Sequence, residues 1–203
     1  MPSLFLCAFL WLVNCQNPLP ADYVPPDLIT YNHVRIDPHA HEAFINMLAA
    51  MREDNIYGLH LYSAYRSYER QADLFHAKVR QFTQKGYTQT QAEQLASREV
   101  QRPGASEHQL GLALDVSTTG QLTEAFGETK AGLWLANHAH LFGFIIRYPE
   151  DKTHITQIIY EPWHIRYVGT PHAQIIFEHG LVLEEYAAFL MAHPLIAATV
   201  LER

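Results

Sequence analysis

The stretch SEHQLGLALDV, Ser106–Val116, decides how the rest of the chain is read. Side chains alternate along a strand, so Leu112, Leu114 and Val116 share one face and suit a core, whereas Gly111, Ala113 and Asp115 share the other. Gly111 and Ala113 carry almost no side chain, which leaves room in front of the Asp115 carboxylate. A buried carboxylate is costly unless something positive stands beside it. His108 precedes the strand and can fold back over that room. A metal cation held by the carboxylate and a neutral imidazole meets the requirement. Taken alone, the stretch fits equally well an aspartate satisfied by backbone amides or an arginine, with His108 at the surface.

A second stretch, YEPWHIRYVG (Tyr160–Gly169), shifts that balance. His164 opens an apolar strand and can supply a third ligand. Pro162 interrupts regular structure between Glu161 and His164, so the spacing predicts a tight turn that leaves Glu161 close to the metal without necessarily binding it. Three protein ligands with a fourth position for water is the arrangement of catalytic zinc, and a nearby carboxylate that is not a ligand can take the proton from that water. Trp163 either shields the site or serves as an ordinary core aromatic.

Around these stretches the chain reads as one domain. Its 203 residues are 48% hydrophobic and 17% charged, enough for a substantial core, and disorder is disfavoured. The net charge is −7 and no run of Lys or Arg occurs, which argues against a nucleic-acid partner. The two cysteines, Cys7 and Cys15, lie at the N-terminus, so no disulfide framework or thiolate zinc site holds the body together, and a core metal must use His and carboxylates. Residues 3–13, SLFLCAFLWLV, are too short an apolar run to span a membrane. They lack the basic n-region of a signal peptide and read either as an export remnant or as a first core strand. We divide the chain into an apolar N-terminal segment, 1–11, and a domain, 12–203.

Helices are predicted at Asp37-Pro38 (an N-cap and N1 pair, with Phe44, Ile45, Leu48 and Met51 inward), from Ser67 to Gly86, behind a TQAE capping box at Thr90–Glu93 until Pro103-Gly104, over Gly132–Gly143, from Thr170-Pro171 to Gly180, and over Leu183–Met191. Strands are predicted at Leu59–Ala64, Leu112–Val116, Phe144–Arg147, Gln157–Tyr160 and His164–Val168. The mixture lacks a βαβ rhythm. The class is α+β: a single domain with a small, mainly antiparallel sheet and helices packed around it.

With both motifs in place, the chain resembles the zinc carboxypeptidases of bacterial cell-wall metabolism, the VanY-like D-Ala-D-Ala carboxypeptidases and the related LD-carboxypeptidases. Ser106, His108, Gly111, Ala113 and Asp115 match S-x-H-x-x-G-x-A-x-D, and Glu161, Trp163 and His164 follow in EPWH. The likeness extends to SAYRS (Ser63–Ser67), FGFIIRYP (Phe142–Pro149) and GLVLEEY (Gly180–Tyr186). It implies a hedgehog/DD-peptidase-like fold, one zinc ion on His108, Asp115 and His164, and Glu161 as general base. It implies that Arg66 binds substrate and stabilises the oxyanion, with Ser106, Gln71, Tyr65 and Trp163 as substrate contacts. The implied substrate is a peptidoglycan stem peptide losing a C-terminal D-Ala, in the cell envelope, with the apolar start too incomplete a signal to exclude the cytoplasm. A monomer is the default. An endopeptidase acting within the stem peptide, and a non-catalytic peptidoglycan-binding module with a structural zinc, are the alternatives.

Other histidines are weaker candidates. His138 and His140, like His39 and His41, are two apart and point to different sides of a helix. Arg147 and Tyr148 could line the substrate groove, although a solvated arginine and a core-edge tyrosine fit nearly as well.

Overall fold

The computed structural model describes residues 8–193. Cys7 and most of the apolar segment 1–11 lie outside the described residues. From Phe9 onward the chain packs on the domain: Phe9 and Trp11 lie against the core, and Arg166 Nη2 donates to their carbonyls at 3.0 and 3.2 Å.

Two short strands come first, β1 (Ile29–Tyr31) and β2 (Val34–Ile36), paired antiparallel. The sequence reading did not include this hairpin. Asn32 and His33, at φ 44° and 69°, give the two positive dihedrals that a tight two-residue turn needs. Helix α1 (Pro38–Glu53) starts as expected, with the Asp37 carboxylate accepting from the His39 and Ala40 amides. Its buried stripe is Ala40, Phe44, Met47 and Met51, and Ile45 is exposed because it stands one residue, about 100°, off that stripe.

Strand β3 (His60–Ser63) leads to α2 (Tyr68–Gln84), capped by Ser67. Helix α3 (Gln89–Glu99) begins two residues earlier than expected, because the capping box is Thr88 with Gln91 rather than Thr90 with Glu93, and it ends before Pro103. Strand β4 (Ala113–Ser117) follows, then α4 (Lys130–His138), which a 3-10 turn prolongs to Phe142. Strand β5 (Phe144–Tyr148) runs on to a helical turn, α5 (Thr153–Thr156). The strand expected over 157–160 is absent. Gln157 adopts φ 62° to end α5, and the Ile159 amide finds the carbonyl of Arg98 at the end of α3 instead of a strand partner. Strand β6 (Glu161–Tyr167) and helices α6 (Thr170–Glu178) and α7 (Leu183–Ala192) complete the described chain.

The main sheet has the order β3-β4-β6-β5, antiparallel throughout, as the sequence reading expected. Leu114 and Val116 face the main core with Phe44, Met47 and Met51 of α1 and Trp134 and Leu135 of α4. Smaller clusters join α2 to α3 and α6 to α7. Among the described residues no helix is long and apolar enough to cross a membrane.

Candidate active site

Register assembles the centre of the site. In the sheet Ser63 stands opposite Asp115, and Asp115 opposite His164, so the three form one transverse row with side chains on one face. His108 reaches the same place from a 3-10 turn, Glu107–Leu110, that Gly111 closes at φ 74°. A Cβ at Gly111 would stand 2.5 Å from Leu28 Cδ2 and 3.3 Å from the Asp37 amide nitrogen, so glycine is needed both for the turn and for this close approach.

Glu161 arrives differently from the sequence expectation. No turn separates it from His164, because β6 runs through Pro162. Instead the pairing of β5 with β6 slips between Ile146 opposite Ile165 and Tyr148 opposite Glu161. That irregularity turns two side chains of odd spacing to one side, with Glu161 Oε2 3.5 Å from His164 Nδ1.

Asp115 sits between the imidazoles. Its Oδ2 lies 3.2 Å from His108 Nε2, and its Oδ1 3.2 Å from His164 Nδ1. All three donor atoms fall within 4.8 Å of one another, and all three residues are buried. Ligands of a tetrahedral zinc, each about 2.0–2.1 Å from the ion, stand about 3.3–3.4 Å apart. The His108 Nδ1–H donates to the carbonyl of Ala64 at 2.6 Å, which turns the Nε2 lone pair toward the site. Burial, aided by the Arg66 charge, lowers the pKa of the His108 imidazole against the pull of Asp115. Burial opposes the Asp115 charge, yet the neighbouring imidazoles hold its carboxyl well below the usual range. The residues therefore fit a divalent metal: two imidazole nitrogens and one carboxylate oxygen, at ligand spacing, on one face.

Glu161 has the opposite character. Burial, then the Asp115 charge, with a further contribution from Glu99, push its carboxyl well above the usual range, against the pull of Arg66. A carboxylate raised in this direction is a stronger proton acceptor than an ordinary one, which suits a general base. Arg66 donates from Nη2 to Ser63 Oγ (3.1 Å) and Asp115 Oδ2 (3.2 Å), and from Nη1 to Gln71 Oε1 (2.9 Å). Gln71 is fixed in turn by donating to the carbonyl of Gln101 at 2.6 Å.

These side chains line a cavity of about 380 Å³ together with Ser106 and Trp163. Tyr65 is not among its lining residues; its ring packs under the Arg35 guanidinium, 5.0 Å from the charge centre. Tyr148 does line the cavity, packed on the His164 ring with 4.9 Å between centroids. Arg147 is neither groove-lining nor solvated: it is buried against Glu107 and Glu184. The sequence reading missed the Lys78–Glu99 ion pair (2.7 Å) on the cavity wall. Lys78 falls on the same helical face as Gln71 and Leu74, a spacing visible in the sequence, whereas its meeting with Glu99 depends on how α2 packs on α3.

Residues 33–170 match the family model for VanY, D-alanyl-D-alanine carboxypeptidase. A D-alanyl-D-alanine carboxypeptidase of Enterococcus faecalis is 42% identical over 177 residues, covering 87% of this chain and 65% of that protein, so the chain spans about two thirds of this relative's length. The crystal structure of a mutant of the vancomycin resistance D,D-pentapeptidase VanY, in complex with Zn(II), superimposes with a TM-score of 0.79 at 42% identity, covering 89% of this chain and 99% of that one. The LdcB LD-carboxypeptidase superimposes with a TM-score of 0.78 at 40% identity, over 89% and 86% of the two chains.

Proposed function

The chain belongs to the VanY family of D-alanyl-D-alanine carboxypeptidases, and from that premise we propose that it is a zinc-dependent carboxypeptidase that removes a C-terminal D-Ala from peptidoglycan stem peptides. The observation that carries this reading is the spacing of His108 Nε2, the Asp115 carboxylate and His164 Nδ1, with the Glu161 carboxyl at its edge. Three ligands leave a position open, which favours catalysis over a closed structural zinc.

Zinc held by His108, Asp115 and His164 supplies a Lewis acid for the scissile carbonyl and lowers the pKa of a water. The chain's own residues do the rest. Glu161 accepts the proton of the attacking water at its carboxylate and hands it to the leaving amine. Arg66, a fixed planar cation held by Ser63 and Gln71, meets the negative charge that develops on the carbonyl oxygen or the terminal carboxylate of the substrate. Ser106 and Gln71 line the cavity where the terminal residue lies, and Trp163 and Tyr148 exclude water from its wall. Acting on peptidoglycan stems would put such an enzyme in the cell envelope.

A second reading is supported by the likeness to LdcB: cleavage of the LD bond that precedes a single terminal D-Ala. Mass spectrometry of muropeptides after incubation with the zinc-loaded protein separates the two. Loss of one alanine from pentapeptide stems alone assigns the D-Ala-D-Ala bond, and loss from tetrapeptide stems assigns the LD bond. Cleavage of stems with an amidated C-terminus assigns an endopeptidase. No change in any stem overturns the proposal.

A further inference from the structure

Three buried charged groups outside the ligand set, Glu107, Arg147 and Arg166, and the half-buried Glu184 form a chain that ends at two of the ligands. Arg147, on β5, is 1% exposed. Its Nε donates to Glu107 Oε1 at 2.8 Å, and its Nη1 and Nη2 donate to the two carboxylate oxygens of Glu184 at 2.8 and 2.7 Å. Arg166, on β6, adds a second cation 3.1 Å from the same Glu107 oxygen. Glu107 is wholly buried and is the first residue of the turn that carries His108. The Arg147 guanidinium also lies over the Tyr148 ring, 4.9 Å from its centroid, and that ring packs on His164.

Glu184 is the outermost member of this chain and the only one on α7. That helix otherwise packs in a separate apolar cluster with α6, through Leu183, Tyr186 and Leu190. It also lies beyond residues 33–170, the span that matches the family model. A guanidinium paired with carboxylates through three donors in one plane has little freedom to rotate. Whatever fixes Arg147 therefore fixes both the turn before His108 and the ring against His164.

We propose that Glu184 is a positioning residue for the metal site, acting through Arg147 on the Glu107–His108 turn and on the Tyr148–His164 stack. The proposal rests on the zinc reading above. Partners that orient metal ligands without touching the metal commonly change affinity about 10- to 100-fold when removed, and two residues stand between Glu184 and either ligand.

The test is the zinc affinity of the full chain, measured by competition with a chromogenic chelator, for wild type, Glu184→Ala and Glu185→Ala. Glu185 is the matched control. It lies on the same helix and carries the same charge, it caps α7 by accepting from the Val182 amide, and its own partner is Lys152. Glu185→Ala thus removes one charge and weakens α7 without touching Arg147. The expected result is an affinity loss of roughly 10-fold in Glu184→Ala, toward the low end of that range, with Glu185→Ala close to wild type. Should Glu184→Ala fail to fold, Glu184→Gln retains one oxygen for Arg147 and is expected to lose less affinity than the alanine variant would, yet more than Glu185→Ala. Wild-type affinity in the Glu184 variant, or equal losses in the Glu184 and Glu185 variants, overturns the positioning role while leaving the zinc reading intact. Failure of the wild-type chain to bind zinc overturns both.

Discussion

Replacing Glu161 with Gln separates two roles that a single carboxylate plays. The amide keeps the size and shape of the side chain but cannot accept the proton of the attacking water. Loss of a positioned general base lowers turnover about 10²- to 10⁴-fold, which corresponds to about 2.7–5.5 kcal/mol of barrier. Stability moves the other way. The Glu161 carboxyl is held well above its usual range by burial and by Asp115, so the folded chain binds this proton more tightly than the unfolded chain does. A group of that kind contributes stability below its unfolded pKa and loses it as pH rises through the folded one. In the metal-free protein at neutral pH, Glu161→Gln therefore unfolds at a higher temperature than wild type, and below the ordinary carboxylate range the difference shrinks. Zinc is expected to remain bound, because the proposed ligands are His108, Asp115 and His164. The assay pairs muropeptide turnover by the zinc-loaded protein with the thermal midpoint of the metal-free chain. Turnover within tenfold of wild type would refute the role given to Glu161, and a lower metal-free midpoint would refute the account of its burial.

Gly111→Ala places a Cβ 2.5 Å from Leu28 Cδ2 in a backbone with φ 74°, and a loss of about 1–3 kcal/mol is expected in denaturant unfolding. Glu107→Ala leaves the buried guanidiniums of Arg147 and Arg166 facing each other without their shared carboxylate; a loss of about 3–5 kcal/mol, or failure to fold, is expected in the same assay. His172 Nδ1 lies 2.9 Å from the Tyr186 hydroxyl, and burial lowers the pKa of the imidazole. The unfolded chain thus takes up this proton first, and stability declines as pH falls below the ordinary histidine value. His172→Gln should lessen the fall in metal-free thermal midpoint between pH 7.5 and pH 5, values taken about one unit either side of that value, and an unchanged fall would show that His172 does not contribute.

Much of the site was legible because its residues are placed by short-range rules. The alternation within β4 holds, with Leu114 and Val116 in the core and Ala113 on the face of Asp115, whereas Gly111 lies outside the strand, closing the turn that carries His108 and facing Leu28 rather than the room before Asp115. The helix starts at Asp37 and Ser67 follow from side-chain caps that are local in sequence. What escaped depends on contacts between distant segments. Glu161 and His164 share a side through a slip between β5 and β6, which neither strand shows by itself. Arg147 was open between groove and solvent because its partners, Glu107 and Glu184, lie 40 and 37 residues away. Tyr65 follows a strand end in the sequence much as Arg66 does, but only Arg66 turns into the cavity, while the Tyr65 ring goes to Arg35. The hairpin of β1 and β2 rests on Asn32 and His33 in left-handed conformations, a weaker signal than a glycine-containing turn.

The most direct test of the central claim is a zinc titration of the metal-free chain, following D-Ala release from the stem peptide it accepts. The account predicts that activity rises in proportion to added zinc and stops rising at one ion per chain, with His164→Ala inactive at the same zinc concentration. Release that is independent of zinc, or full activity in His164→Ala, would contradict it.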